Sequence, residues 1–227
     1  MNIKIIKNVN EANLATGLAV IIDVLRAFST ECFVFKNGAK YIIPVLALDD
    51  AYELKKQNPD YILMGERKGV KPEGFDFGNS PTEILDVDFT DKIVVHTTSN
   101  GTKGMMNTIN ASEIITGSFV NAKAIIEYIK KTNFKDITLI CTANQKYDEN
   151  NEDLMLANYI ANILENKKVD ELEIKDVIKH SIAAKFMVEE IGVPPTDIDL
   201  CLDFDRFNFI IKQVEMFGGK VLVKVEI

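Results

Sequence analysis

Polar side chains of the types that bind metal ions and anions follow four short apolar segments of this chain. They include carboxylates, hydroxyl groups and two of the three arginines found among 227 residues. Carboxylates favour Mg²⁺, a hard cation that takes few protein ligands. Arginine and hydroxyl groups favour oxyanions, so the combination suits phosphoryl chemistry, in which a metal and arginine neutralise charge at phosphorus. The candidate residues are Asp23, Arg26, Ser29, Glu66, Arg67, Asn79, Ser80, Thr97, Thr98, Asn100, Gly101, Thr102, Glu152 and Asp153.

The apolar segments alternate with stretches of helical periodicity, and several of them are apolar on both faces. Such strands are typical of a sheet that helices cover on each side. The alternation predicts an α/β fold of three layers, with a mostly parallel or mixed sheet and helices on both faces. We expect a single domain, 1–227, in which region 170–217 is mainly helical. Strands are predicted at 17–23, 40–44, 61–64, 92–96, 113–116, 136–141 and 220–226, and helices at 26–37, 48–57, 121–131 and 153–164.

The predicted strands bring the candidate residues together, because ligands of open α/β sheets bind at the carboxyl ends of the strands. Each residue also has a simpler interpretation. Asp23 suits a helix N-cap, Asp153 suits the first turn of a helix, and Ser80 suits the cap of a helix that starts at the following proline. Asn100 suits a tight turn, and Arg67 suits a solvated turn. The functional interpretation depends on four strand ends meeting at one place.

Several enzyme classes are excluded by missing motifs. The chain has no Gly-x-x-x-x-Gly-Lys-Ser/Thr loop, no Gly-x-Gly-x-x-Gly after a strand and no Gly-x-Ser-x-Gly, which argues against P-loop NTPases, dinucleotide sites and α/β-hydrolases. Leu25 stands two residues after Asp23, where haloacid-dehalogenase phosphatases carry a second acid. His96 and His180 fall inside a predicted strand and a predicted helix, so we expect structural roles for both.

Composition limits the partners and the compartment. A net charge of −8 argues against non-specific nucleic-acid binding but not against a small anionic substrate. The apolar runs are shorter than the ~20 residues of a membrane helix, and residues 1–10 do not resemble a signal peptide, so we expect a cytoplasmic protein without membrane contact. Cys32, Cys141 and Cys201 lie far apart, which predicts reduced, buried thiols. Homo-oligomerisation stays open.

Five segments of the chain form a recognisable combination: 23–30 (DVLRAFST), 65–67 (GER), 74–81 (GFDFGNSP), 97–102 (TTSNGT) and 152–153 (ED). Together they resemble the 2-phosphosulfolactate phosphatase family, and they occur in the family's order between residues 20 and 160. Two features depart from the family's pattern: Ser99 stands where threonine is expected, and the loop 144–151 is long and rich in Lys and Asn.

The resemblance implies a Mg²⁺-dependent phosphatase that hydrolyses 2-phospho-3-sulfolactate to 3-sulfolactate and phosphate, a step in coenzyme M biosynthesis. It implies that Asp23, Glu66 and Asp153 hold or orient the metal. Arg26 and Arg67 would bind the anionic groups and, with Asp23 and Glu66, form the catalytic set. Substrate binding is implied for Ser29, Asn79, Ser80, Thr97, Thr98, Asn100, Gly101 and Thr102.

Two alternatives stay open at this point. The attacking group is either a water activated by Mg²⁺, which we prefer because no established covalent phosphatase motif is present, or a hydroxyl of Thr97, Thr98 or Ser99. The chain could also be a non-catalytic module that binds anions or regulates another protein. The carboxylates weigh against that second function, because an anion receptor gains nothing from them without a metal.

Overall fold

The computed structural model describes residues 1–143 and 151–227, and the predicted α/β fold of three layers is confirmed. The polar loop predicted after 136–141 lies largely outside the described residues. The strands are β1 (Asn2–Ile6), β2 (Leu18–Ile22), β3 (Tyr41–Pro44), β4 (Ile62–Gly65), β5 (Ile93–Thr97), β6 (Glu113–Gly117), β7 (Asp136–Cys141), β8 (Phe209–Met216) and β9 (Gly219–Glu226). The helices are α1 (Ala27–Lys36), α2 (Leu48–Gln57), α3 (Pro81–Ile84), α4 (Gly101–Asn107), α5 (Ala122–Lys131), α6 (Glu152–Leu164), α7 (Glu171–Lys179), α8 (Ile182–Glu189) and α9 (Pro195–Cys201).

The sheet has two parallel halves that run in opposite directions. Its strand order is β1-β7-β2-β6-β8-β9-β3-β5-β4. Strands β1, β7, β2 and β6 are mutually parallel, as are β3, β5 and β4. The hairpin β8–β9 lies between the halves and is antiparallel to both neighbours. The carboxyl ends of β2 and β4 therefore point to opposite edges of a flat sheet.

The strand ends nevertheless meet, although not for the reason that the sequence suggested. Arg26, just after β2, donates from Nη2 to the carbonyl of Gly69, which follows β4, at 3.1 Å. A Cβ built on Gly101, at the start of α4, would lie 3.0 Å from the Phe28 ring of α1. These contacts bring the residues that follow β2, β4 and β5 together, although the two halves of the sheet run in opposite directions. The predicted convergence holds, and the single shared edge is wrong.

Both faces of the sheet are buried at β2, as the apolar pattern predicts. Along β2, Val20 and Ile22 pack in a core cluster that includes residues of α5 and α6. The alternate residues Ala19 and Ile21 pack in a second cluster with Phe28 of α1. All these strand residues are fully buried. This double burial fixes where β2 ends and hence where the residues that follow it lie.

Two strands differ from the expectation. Region 170–217 is mainly helical only as far as α9, because β8 occupies Phe209–Met216 and forms a hairpin with β9. The turn uses Phe217 and Gly218 at φ of 56° and 80°. Strand β1 (Asn2–Ile6) is half exposed and pairs with β7. Its polar residues alternate with apolar ones, so the apolar pattern did not predict it.

The three cysteines are free and buried, as predicted. None of the helices in residues 1–143 and 151–227 has the length and apolar character of a bilayer span.

Candidate active site

Asp153, in the first turn of α6, joins the ends of β2 and β7. Its Oδ1 accepts a hydrogen bond from the backbone N–H of Val24 at 2.9 Å. Its Oδ2 accepts from the N–H of Thr142 at 2.9 Å, from the Thr142 hydroxyl at 3.2 Å and from the N–H of Ala143 at 2.7 Å. With four donors on two oxygens and an exposure of 1 %, this carboxylate fixes the geometry of the site.

Asp23 immediately follows β2 and is half-buried. Its Oδ1 accepts from the N–H of Ala27 at 3.1 Å, and its carbonyl accepts from the N–H of Phe28 at 3.2 Å. The N-cap of α1 is Arg26, so the interpretation of Asp23 as the N-cap is wrong. Asp23 nevertheless accepts the first N–H of the helix, which does not exclude a second role. Burial, and then repulsion from Asp153 and Glu66, raise the pKa of Asp23 to about 8.

Asp23 and Asp153 form a pair of neighbouring acids with different surroundings. Burial, followed by repulsion from Glu152, raises the pKa of Asp153 to about 7. The backbone donors on Asp153 favour its ionised form and partly offset that rise. Asp23 has one backbone donor and Asp153 has three, so the surroundings favour the ionised form more at Asp153 than at Asp23.

Glu66 ties the loop after β4 to the loop after β5. Its Oε1 accepts from the N–H of Ser99 at 2.6 Å, and its Oε2 accepts from the N–H of Gly69 at 2.7 Å and the Ser99 hydroxyl at 3.0 Å. The preceding Gly65 has φ of 148°, and a Cβ there would lie 2.0 Å from the carbonyl oxygen of Thr97. Only glycine tolerates that approach, which brings Glu66 against the end of β5.

Arg26 is 8 % exposed and makes an ion pair that sequence reasoning missed. Its Nη1 donates to Oδ2 of Asp197 at 2.8 Å. Asp197 lies in α9 and is separated from Arg26 by 171 positions, so no local spacing could have linked them. The sequence indicates only that Asp197 lies in the first turn of a helix, because it follows Pro194 and Pro195, and proline is common at a helix start.

Arg67 lies in the same region, but its guanidinium is committed to backbone and hydroxyl oxygens. Nη1 donates to the carbonyl of Glu66 at 2.7 Å, and Nη2 donates to the Thr97 hydroxyl at 2.7 Å and to the carbonyl of Leu46. These bonds join the ends of β3, β4 and β5. Arg67 therefore supports the loops, and its predicted contact with substrate stays a prediction.

The hydroxyl residues after β5 bind mainly one another. The N–H of Thr98 donates to the Thr102 hydroxyl at 2.9 Å, and the N–H of Thr102 donates to the Thr98 hydroxyl at 3.3 Å. Asn100 precedes α4, is half-buried and makes no side-chain cap. Gly101 begins that helix and is buried. The segment is thus brought to the site, with its threonines shaping the loop.

The remaining predicted binding residues are buried and already bonded. The Ser29 hydroxyl donates to the carbonyl of Val24 at 2.6 Å and is inaccessible to solvent, a location that does not fit direct substrate contact. Ser80 caps α3 by accepting from Glu83 N–H at 3.2 Å, as its simpler interpretation predicted. Oδ1 of Asn79 lies 2.8 Å from Nε2 of His96.

His96 belongs to a buried polar network, in agreement with the structural role expected for it. Its Nδ1 lies 2.8 Å from Oε1 of Glu31 on α1, and both side chains are almost inaccessible. The other oxygen of Glu31 accepts from the Thr116 hydroxyl of β6 at 3.4 Å. The network thereby connects α1 to both halves of the sheet.

The acids of the site suit a hard divalent cation. In residues 1–143 and 151–227 no three His, Cys, Asp or Glu side chains converge as a ready-made metal-binding group, but Mg²⁺ commonly takes only one or two carboxylates. Asp23, Asp153 and Glu66 crowd negative charge into a buried region, as the raised pKa of Asp23 shows. The guanidinium of Arg26, three residues after Asp23, is already paired with Asp197. A divalent cation would relieve that surplus charge, so the residues fit the metal that the resemblance implied.

The bonding of Asp153 leads to a stability prediction. Asparagine at position 153 has one acceptor oxygen, and its NH₂ group replaces the other oxygen. That NH₂ would face either the N–H of Val24 or the N–H groups of Thr142 and Ala143, and those donors would lose their acceptor. We expect a loss of about 1–3 kcal/mol for each buried donor left without an acceptor. Urea denaturation measures it, with Asp203→Asn at the exposed Asp203–Arg206 pair as the matched control. Equal stabilities for the two variants would contradict this role of Asp153.

Comparison with known proteins adds a reaction class to this geometry. A family model described as 2-phosphosulpholactate phosphatase matches residues 3–216. A protein of Thermoplasma acidophilum named probable 2-phosphosulfolactate phosphatase is 33 % identical over 199 residues, covering 86 % of each chain. A protein of Caldicellulosiruptor saccharolyticus with the same name is 37 % identical over 185 residues, covering 79 % of this chain and 76 % of its own length. The family match reaches beyond the segments of the site to α7, α8, α9 and β8.

Proposed function

We propose that this chain, which belongs to the 2-phosphosulpholactate phosphatase family, hydrolyses the phosphate ester of 2-phospho-3-sulfolactate or a closely related phosphorylated 2-hydroxy acid. The products would be 3-sulfolactate and phosphate, in a cytoplasmic step of coenzyme M biosynthesis. The observation that carries the proposal is that hydrogen bonds bring the three acids to one region. Asp153 accepts from Val24, the neighbour of Asp23, and Gly69 links Glu66 to Arg26. Phosphate-ester hydrolysis needs such a set, because negative charge develops on the transferred phosphoryl group.

The three acids differ in how many hydrogen bonds they accept. Asp23 accepts from the N–H of Ala27 and lies close to the Thr142 hydroxyl, fewer partners than Asp153 has. It would bind Mg²⁺ directly, and Glu66 would complete or orient the site. Both oxygens of Asp153 already accept hydrogen bonds. Asp153 would therefore orient the backbone beside Asp23 rather than bind the metal directly. Bound Mg²⁺ would supply charge neutralisation at the phosphate oxygens.

Arg26 is the cation best placed for the substrate. A guanidinium has five N–H donors, and the bonds to Asp197 and Gly69 use one N–H on each terminal nitrogen. The second N–H on each nitrogen is left to donate to a phosphate, carboxylate or sulfonate oxygen. We propose that Arg26 holds the anionic substrate over Asp23.

The attacking group remains a water in this proposal. The hydroxyls of Thr97 and Thr98 are held by Arg67 and by Thr102, which leaves them poorly suited to attack. Ser99 is exposed, and its hydroxyl donates to Glu66 at 3.0 Å. Among the hydroxyls considered, Ser99 is therefore the best-placed alternative, and Ser99→Ala separates it from water: loss of all turnover would favour the serine.

A phosphate-release assay tests the proposal. We expect release from 2-phospho-3-sulfolactate that depends on Mg²⁺ and stops on chelation. Phospholactate, which lacks the sulfonate, should be hydrolysed less efficiently. No release from any phosphorylated 2-hydroxy acid, combined with tight phosphate binding, would contradict the proposal and favour a non-catalytic anion receptor.

A further inference from the structure

Asp197 is a carboxylate outside the three acids described above, and both of its oxygens accept hydrogen bonds. It is inaccessible to solvent. Its Oδ2 accepts from Arg26, while its Oδ1 accepts from the Ser80 hydroxyl at 2.8 Å and from the N–H of Thr82 at 2.9 Å. Ser80 and Thr82 lie at the start of α3, so the side chain of Asp197 fixes both the start of that helix and the guanidinium of Arg26, three residues after Asp23.

The segment that carries Asp197 packs against the site from the C-terminal part of the chain. The side chain of Ile191, between α8 and α9, approaches Gly69 so closely that a Cβ at Gly69 would lie 2.6 Å from it. Gly69 is the residue whose N–H binds Glu66 and whose carbonyl accepts from Arg26. The hydroxyls of Thr196 and Thr82 are 2.8 Å apart. Residues 191–197 thus hold the loop after β4 and the start of α3 together.

We propose that Asp197 is a positioning residue that acts through Arg26, an inference that rests on the proposed function. A guanidinium is planar and its donors point in fixed directions. The bond from Asp197 to Nη1 and the bond from Gly69 to Nη2 therefore set the directions of the remaining N–H groups. The negative charge of Asp197 partly neutralises Arg26. Asp197 therefore contributes by orienting the guanidinium and not by attracting the anionic substrate. The C-terminal helices complete the active site through this carboxylate.

The experiment combines Asp197→Asn and Arg26→Met in a double-mutant cycle. Asparagine is close to aspartate in shape but cannot accept from Nη1 and from Ser80 and Thr82 together. We expect kcat to fall by roughly 10- to 100-fold, the effect of a misplaced group, with KM unchanged or lower, because the positive charge of Arg26 persists. In the Arg26→Met background, Asp197→Asn should leave kcat unchanged.

A purely structural role gives the opposite pattern. If Asp197→Asn lowers kcat by the same factor in both backgrounds, or if KM rises with it, the proposal is overturned. Asp203→Asn, at the exposed pair with Arg206, is the matched control and should change neither constant. If Asp197→Asn does not fold, Ser80→Ala removes one bond to Asp197 and keeps both charges. It should lower kcat by roughly 3- to 10-fold in the wild type and not in Arg26→Met.

Failure of the proposed function can be distinguished from failure of this inference. Wild-type turnover tests the function alone. If the wild type releases no phosphate, the affinity for inorganic phosphate can be measured by calorimetry for the same four proteins: the wild type, each single variant and the double variant. Removing the charge of Asp197 should then tighten phosphate binding several-fold where Arg26 is present and have no effect in Arg26→Met. Unchanged or weaker binding in the Arg26 background would overturn the coupling.

Discussion

Asp23→Asn is expected to reduce phosphate release by roughly 100- to 1000-fold, the loss typical of removing one group that stabilises developing charge. Asparagine keeps the hydrogen bond at the start of α1, because its side-chain oxygen still accepts from the N–H of Ala27. It removes the carboxylate that the proposal gives to Mg²⁺. Steady-state kinetics at saturating Mg²⁺ measure the change.

The same substitution should stabilise the metal-free protein at pH 8. The ionised form of Asp23 is disfavoured by burial and by repulsion from Asp153 and Glu66. A neutral amide at this position has no charge to be disfavoured. We expect the melting temperature to rise by roughly 2–4 °C, which corresponds to about 1 kcal/mol in a chain of this size. Asp153→Asn should change stability in the opposite direction. Retained activity together with lower stability for Asp23→Asn would refute the role assigned to this residue.

The stability of the metal-free protein should fall as the pH rises from about 5 to 8. The pKa of Asp23 is 3.8 ordinarily and about 8 in the folded protein. Between these values the folded state binds more protons than the unfolded state, so folding is favoured at the acidic end and that contribution is lost as the pH approaches 8. Asp153, with a pKa of about 7, contributes in the same direction. Thermal melts in chelator across this range measure the trend.

Mg²⁺ should reverse the loss at pH 8, because it binds the ionised acids. A free concentration about 100 times Kd would add about 2.7 kcal/mol of stability. Asp23→Asn supplies the control, since it should flatten the pH dependence and reduce the response to Mg²⁺. A wild type that gains stability toward pH 8 in chelator would be incompatible with the acid pair described here.

The fold was predictable where strands are apolar on both faces, and less so elsewhere. β2 and β7 lie at or within one residue of their predicted bounds because their side chains are buried on each side. β1 and β8 expose part of their residues, and a mixed pattern does not distinguish such strands from loops or helices. The reversal of direction at β8–β9 depends on pairing between distant segments, which periodicity does not encode.

The sequence predicted that the residues after the strands lie near one another, but not how they bond. The contacts of Asp153 with Val24 and of Gly69 with Glu66 and Arg26 bring them to one region, although the predicted shared edge was wrong. Their roles in binding metal and substrate stay a prediction. That Asp153 is filled by four donors follows from tertiary hydrogen bonds that no sequence pattern shows. Likewise, nothing local to Arg67 indicates that its guanidinium binds carbonyls, and nothing local to Asp197 indicates its pairing with Arg26.

The central claim is that a divalent cation and Arg26 together hold the substrate's anionic groups over Asp23. A crystal structure with Mg²⁺ and 3-sulfolactate plus phosphate tests it most directly. We predict the ion on a carboxylate oxygen of Asp23, with an N–H of Arg26 donating to an oxygen of the bound anion and Asp153 keeping its four donors. An ion bound away from Asp23, or an anion out of reach of Arg26, would contradict the account.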